Sequence, residues 1–138
     1  MILLDTNVIS EVMRPQPSSR VIQWLDGQSR GSVGTTAISL GEILHGIERL
    51  PKGRRRTDLE MRFRTFLDRG LERRVAEFNE LAAHAYARIL VDRDSIGRPI
   101  AKLDAMIASI ALSLGADVAT RDIADFERCG VTVLNPWE

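Results

Sequence analysis

Four acidic residues in four separate segments are the side chains of this sequence best suited to chemistry. They are Asp5 in Met1-Ile-Leu-Leu-Asp-Thr-Asn7, Glu42 in Ile38-Ser-Leu-Gly-Glu-Ile-Leu44, Asp104 in Lys102-Leu-Asp-Ala-Met-Ile-Ala108 and Asp122 in Val118-Ala-Thr-Arg-Asp122. The two histidines, His45 and His84, lie far from the single Cys129 and from each other, which argues against a zinc site or a Cys–His nucleophile. Carboxylates without soft partners are the donor set of a hard, oxygen-preferring divalent cation, Mg²⁺ or in its place Mn²⁺. Such a site predicts metal-assisted cleavage of phosphodiester bonds, with a water as nucleophile and no covalent protein intermediate.

The elements that must carry these acids follow from the hydrophobic period. Ile2 to Leu4 is a short apolar run ended by helix-start residues, which predicts a strand and then a short helix to Met13. A second helix starts at Ser18 or Ser19 and stops at Gly27; a strand is expected over Gly31 to Thr36, and a helix over Ile38 to Leu50, closed by Pro51. A basic turn, Lys52 to Arg56, leads to a helix ending near Gly70. A brief strand, Arg74 to Phe78, precedes a helix from Glu80 to Arg93 with Leu81, Ala85 and Ile89 facing inward. The clearest helix has Leu103, Met106, Ile107, Ile110, Ala111 and Leu114 at helical intervals and Gly115 as its stop. A strand at Asp117 to Thr120, a short helix at Ile123 to Arg128 and a strand at Val131 to Leu134 complete the chain. Strands alternating with helices predict a mostly parallel five-stranded sheet covered on both faces, with ligands beyond the carboxyl ends of the strands. Asp5 and Asp122, each directly after a strand, fall on that rim.

Each acid also has a structural explanation. Asp5 and Asp122 could cap the helices they precede, with Asp125 as a first-turn acid, and Glu42 completes a capping box with Ser39. Asp104 fits this account least well, because it stands beside the most apolar face of its helix, where an unpaired acid is costly to desolvate.

The chain has 138 residues, 44% of them hydrophobic, and lacks a linker that would divide it, so a single domain over 1–138 is expected. Its longest apolar stretch, Ala105 to Leu114, is interrupted by serines and is too short to span a bilayer; with no basic amino terminus leading into an apolar segment, a cytoplasmic protein is expected. The net charge is zero, but Arg49 to Arg74 holds ten Lys/Arg against four Asp/Glu. Within that segment Arg54, Arg55, Arg56, Arg62 and Arg69 are candidates for binding phosphates or a protein partner, the plainer reading being a solvated helix face laced with ion pairs.

The order and spacing of these motifs, together with Leu134-Asn-Pro-Trp137 near the end, resemble PIN-domain toxins of the VapC/FitB type along essentially the whole chain. The resemblance implies a three-layer α/β/α sandwich, Mg²⁺-dependent endoribonuclease activity with tRNA as a candidate substrate, and a homodimer. It also implies a VapB/FitA-type DNA-binding antitoxin, which would carry the toxin into a larger assembly on operator DNA. Residue by residue it implies Asp5 and Asp104 as direct metal ligands, Glu42 and Asp122 as completing the acidic site, and Thr6 and Thr120 as hydroxyl contacts. Two other classes share features with this sequence. A haloacid-dehalogenase-like phosphatase also has an Asp after its first strand, but its second Asp two positions on is here Asn7. A non-catalytic module of the same fold would use the acids only to receive an Arg from a partner. The dimer would draw on apolar faces around Ile9, Val12 and Ile107 to Leu114.

Overall fold

A computed structural model describes residues 1–138. Five short strands, β1 (Ile2–Leu4), β2 (Val33–Thr36), β3 (Val75–Ala76), β4 (Asp117–Ala119) and β5 (Val133–Leu134), form one sheet in the order β3-β2-β1-β4-β5. Every pairing is parallel. The helices are α1 (Thr6–Val12), α2 (Ser19–Asp26), α3 (Ala37–Glu48), α4 (Arg54–Thr65), α5 (Glu80–Ser95), α6 (Lys102–Leu114) and α7 (Ile123–Phe126), with a π-helical turn, Phe66–Gly70, extending α4.

The strand pleat sends neighbouring residues to opposite faces and so divides the core into two layers. Leu3 of β1 and its partner Val118 of β4 enter one layer, with Ile89 of α5 and Ile107 and Ile110 of α6. Leu4 and its partner Ala119 enter the other, with Val8 and Ile9 of α1, Val21, Ile43, Ile47 and Phe63. The result is the α/β/α sandwich that the alternating pattern predicts.

The sheet order reverses direction between β1 and β4: β2 and β3 extend to one side, β5 to the other. A switch of this kind leaves a crevice beyond the carboxyl ends of the two central strands. Asp5 follows β1 there, and Thr120 and Asp122 follow β4.

Several boundaries and facings differ from the sequence reading. The second, third and last strands shrink to Val33–Thr36, Val75–Ala76 and Val133–Leu134, and helix α4 already begins at Arg54, inside the expected basic turn. Leu81, Leu103 and Leu114, expected to face inward, are exposed, because α5 and α6 pack tightly on each other through alanines and isoleucines on a narrower stripe. The left-handed Gly115 (φ 64°) ends α6 as its sequence predicts. The apolar face assigned to a dimer contact lies mostly in the core: Ile9, Ile107 and Ile110 are fully buried, while Leu112 and Leu114 remain on the surface.

Candidate active site

Asp5, Glu42, Asp104 and Asp122, drawn from the ends of β1 and β4 and from helices α3 and α6, line a single cavity of about 510 Å³. Thr6, Asn7, Ser10, Glu11, Arg14, Arg121 and Trp137 complete its wall.

Asp5 is the most buried and most constrained of the four. It is the N-cap of α1, with Oδ1 accepting from the Thr6 backbone N–H at 2.8 Å, while Oδ2 accepts from the Thr120 hydroxyl at 2.7 Å. Its pKa lies above the ordinary carboxylate value: burial raises it, the Thr120 and Thr6 hydrogen bonds pull it partly back, and the charges of Glu42 and Asp122 raise it further. The capping explanation for Asp5 is therefore correct, and it accounts for one of the two oxygens.

The capping explanations for the other two acids do not hold. Helix α3 starts one turn before Glu42, and its cap is Thr36, whose hydroxyl accepts from the Ser39 N–H at 3.1 Å. Glu42 is left free to accept from the Thr6 hydroxyl at 2.8 Å, across the crevice. Asp122 precedes α7 without making a side-chain cap; its Oδ2 accepts from Asn7 Nδ2 at 3.1 Å.

Asp104 sits half-buried in the first turn of α6, and its pKa is pushed up to about 6. Burial is the main cause, followed by repulsion from Asp5, Asp125, Glu42 and Asp122, and no hydrogen bond lowers it again. A carboxylate held this way has unspent capacity for a cation. As the side chains stand, no three His, Cys, Asp or Glu residues converge closely enough to enclose an ion. Four mutually repelling carboxylates sharing one open cavity are expected to stand apart. An all-oxygen donor set with one acid lacking any compensating donor fits a hard divalent cation.

The supporting polar network was only partly visible in the sequence. Thr120 is fully buried, donates to Asp5, and accepts from the Asp122 backbone N–H at 3.0 Å and from Asn7 Nδ2 at 3.2 Å, so one hydroxyl links three site residues. Asn7 stands where the phosphatase class would need a second Asp, and it is committed to Thr120 and Asp122. Sequence reasoning passed over Asn7 as a site residue; its signal was its place in Asp5-Thr6-Asn7, three residues past a strand. Arg93 was passed over as well. It is 4% exposed, and its guanidinium donates to the backbone carbonyls of Arg98 (2.6 Å), Asp125 (3.0 Å) and Glu127 (2.9 Å). It thereby ties the loop that leads into the Asp104 helix to the segment that follows Asp122. A pair between Arg98 and Glu127 at 2.9 Å closes the same junction from outside.

The basic candidates separate. Arg54, Arg55 and Arg62 line a second groove of about 740 Å³, floored by Met13, Ile43, Ile47, Leu50 and Leu59. This groove meets the acidic cavity at Thr6, Ser10, Arg14 and Glu42. Arg62 also donates to the Met13 carbonyl at 3.0 Å. Arg56 is tied into the fold, pairing with Glu48 at 2.9 Å and Glu60 at 3.1 Å. Arg69 lies apart, on a shallow depression beside Met61 and Phe66.

The family model described as the PIN domain matches residues 2–131. The plasmid stability protein StbB of Pseudomonas syringae pv. tomato is 40% identical over 138 residues, covering all of this chain and 99% of its own length. The VapC ribonuclease Y4jK of Sinorhizobium fredii is 38% identical over the same 138 residues, again with 99% of its length covered. Among solved structures, FitAB bound to a DNA fragment superposes with a TM-score of 0.93 at 39% identity, over all of this chain and 96% of the other. A sheet that switches direction beside four carboxylates, a match to the family model over nearly the whole length and relatives near 40% identity agree: this chain belongs to the PIN-domain family, in the branch of the VapC and FitB toxins.

Proposed function

We propose that this protein is the toxin of a type II toxin–antitoxin pair and acts as a divalent-metal-dependent endoribonuclease, with Mg²⁺ as its ion. The observation that carries the reading is the convergence of Asp5, Glu42, Asp104 and Asp122 on one cavity, with Asp104 half-buried and its pKa pushed up to about 6. The name of the 38% identical relative, a VapC ribonuclease, supports RNA as the substrate.

Asp5 and Asp104 are the residues that would hold the cation, with Glu42 and Asp122 beside them. A cation there would neutralise charge on the scissile phosphate and activate a water for attack. The chain's own residues do the positioning. Thr120 and the Thr6 N–H fix both oxygens of Asp5, so this carboxylate is oriented before any ligand arrives. Thr6 holds Glu42 towards the crevice, and Asn7 holds Asp122. Glu42, whose only partner is a hydroxyl, is the group placed to take a proton from the attacking water.

The partner follows from the second groove. Its apolar floor and its Arg54, Arg55 and Arg62 rim run directly into Glu42, a surface suited to an amphipathic antitoxin segment whose end would close the acidic cavity. The FitAB structure on DNA supports an antitoxin that also binds operator DNA. Exposed Leu81, Val91, Leu112 and Leu114 leave apolar surface on α5 and α6 for a homodimer contact. No helix is long and apolar enough to cross a membrane.

The test is cleavage of total RNA and of tRNA by the purified protein in Mg²⁺ and in EDTA, with the new 5′ ends sequenced. Discrete cuts that need the metal and vanish on adding the co-expressed antitoxin are expected. Cleavage of small phosphomonoesters without action on RNA would overturn the reading.

A further inference from the structure

The acidic cavity carries one cation with no carboxylate partner. Of its two lining arginines, Arg14 pairs with Glu11 at 3.4 Å. The Arg121 guanidinium lies over the ring of Trp137, 5.1 Å from the centroid, and belongs to none of the chain's ion pairs. Asp122 next to it in sequence is engaged by Asn7 instead. Among five lining acids, Asp5, Glu11, Glu42, Asp104 and Asp122, a guanidinium would be expected to fold onto a carboxylate. It lies over the ring instead.

The ring is itself fastened. Its main chain is anchored by the Trp137 backbone N–H, which donates to Asn135 Oδ1 at 2.9 Å, and by the Trp137 backbone carbonyl, which accepts from Arg20 Nη1 at 3.3 Å, and its side chain packs against the layer that contains Val8 and Val21. On the other side, the Arg121 backbone N–H lies 3.4 Å from Asn7 Oδ1, which fixes the start of the arginine to the site network. A guanidinium lying over an indole keeps its edge N–H groups free, and a planar fork of this kind matches two oxygens of one phosphate.

We propose that Arg121, held by Trp137, is a phosphate clamp for the nucleotide adjacent to the scissile bond, and that this pair sets how RNA enters the acidic cavity. This rests on the ribonuclease reading above. A strand approaching five carboxylates meets repulsion, and one fixed cation at the mouth both lowers that barrier and sets the register of the backbone. Arg121 would act on binding and alignment, leaving the chemical step to the acids. Trp137 acts through Arg121 and is a positioning residue.

The experiment uses the full chain, a fluorescein-labelled RNA hairpin, and both binding in EDTA and cleavage in Mg²⁺. Arg121→Ala is expected to weaken RNA binding and raise KM about tenfold, to flatten the plot of log affinity against log salt by about 0.7, and to leave kcat within about threefold. Arg121→Lys keeps the charge and hence the salt slope, but loses the fork and still raises KM. Trp137→Ala raises KM with an unchanged salt slope, and Trp137→Phe restores it in part; a thermal melt of each variant separates this from loss of folding. Unchanged affinity and slope in Arg121→Ala, with wild-type RNA cleavage intact, would overturn the clamp alone. A collapse of kcat at unchanged KM would overturn it in favour of a role in chemistry, and weakened binding of the antitoxin with RNA binding intact would overturn it in favour of a protein contact. A wild-type protein that neither binds nor cuts RNA would take the ribonuclease reading down with it.

Discussion

The acidic cavity and the groove beside it share Thr6, Ser10, Arg14 and Glu42, yet they are assembled in opposite ways. The cavity collects side chains more than a hundred residues apart, delivered by the parallel sheet to the switch between β1 and β4. The groove is local: apart from a few residues of α1 and the loop after it, it is built from α3, α4 and the turn joining them. In the cavity, hydrogen bonds fix polar groups that repel one another. In the groove, apolar contact supplies adhesion and arginines supply only a rim. On the proposed reading the acids of the first carry the chemistry and the second holds a partner, so a substitution of a cavity acid should leave partner binding in the groove nearly untouched.

The largest effect should come from the cavity. Asp5→Asn and Asp104→Asn keep the shape and remove the charge that, on the proposed reading, would hold the cation, so RNA cleavage in Mg²⁺ should fall at least about 100-fold in either. Antitoxin binding, measured by titration against the purified partner, should change little. If either variant cleaved at the wild-type rate with unaltered metal dependence, chemistry would have to be sought elsewhere.

Next is the support behind the acids. Thr120→Val preserves volume and deletes the hydroxyl donated to Asp5, so activity should drop about tenfold through weaker metal affinity, read as a higher Mg²⁺ concentration for half-maximal rate. Arg93→Met leaves three carbonyls without their donor and should lower unfolding stability by about 3 kcal/mol, read by urea denaturation. An unchanged midpoint would show that water replaces the guanidinium at no cost.

The pH dependence of the metal-free protein gives a smaller but directional signal. Asp104 has a folded pKa of about 6 against an ordinary value of 3.8, so the folded state binds its proton more tightly than the unfolded state does. The sign follows: this group favours the fold below the unfolded value, and that contribution is lost as pH rises through about 6. Burial shifts Asp5 in the same direction. In EDTA, Tm should therefore decline between pH 4 and 7, and Asp104→Asn should flatten the decline and raise Tm at neutral pH. A Tm that climbs with pH over that interval, with Asp104→Asn lowering it, would reverse the account of this residue.

The smallest effects should come from the groove rim. Replacing Arg54 and Arg55 with Gln should weaken antitoxin or RNA binding severalfold and reduce its salt dependence, with the rate at saturating RNA near wild type. The same change at Arg56 should instead cost some stability, because Arg56 is spent on Glu48 and Glu60.

The same contrast explains what could be read in the sequence. Asp5 and Asp122 were legible as neighbours because each follows a strand, and a parallel sheet has only one rim to which strand ends can carry them; Glu42 and Asp104 reach the same cavity from helices α3 and α6. Three of them also resembled helix caps; only the fold shows that Asp5 is one, that Thr36 rather than Glu42 caps α3, and that Asp122 makes no side-chain cap. The network through Thr120, Asn7 and Arg93 was less legible, since hydroxyl, amide and guanidinium groups acquire their roles only from distant partners. The basic run looked uniform, but helix geometry turns Arg56 inward to an ion pair, leaves Arg54 and Arg55 on the rim and carries Arg69 away. For Leu81, Leu103 and Leu114, hydrophobicity alone overestimated burial, because close helix contact selects the alanines beside them.

The most direct test of the central claim is single-turnover cleavage of one defined RNA by wild type, Asp104→Asn and Asp5→Asn across a Mg²⁺ titration, with EDTA as the zero point. The account predicts no cleavage in EDTA, a saturable rise for the wild type, and rates near the EDTA baseline for both variants at the highest Mg²⁺ used. Cleavage by the wild type in EDTA at the rate seen in Mg²⁺, or a full wild-type response from either variant, would contradict it.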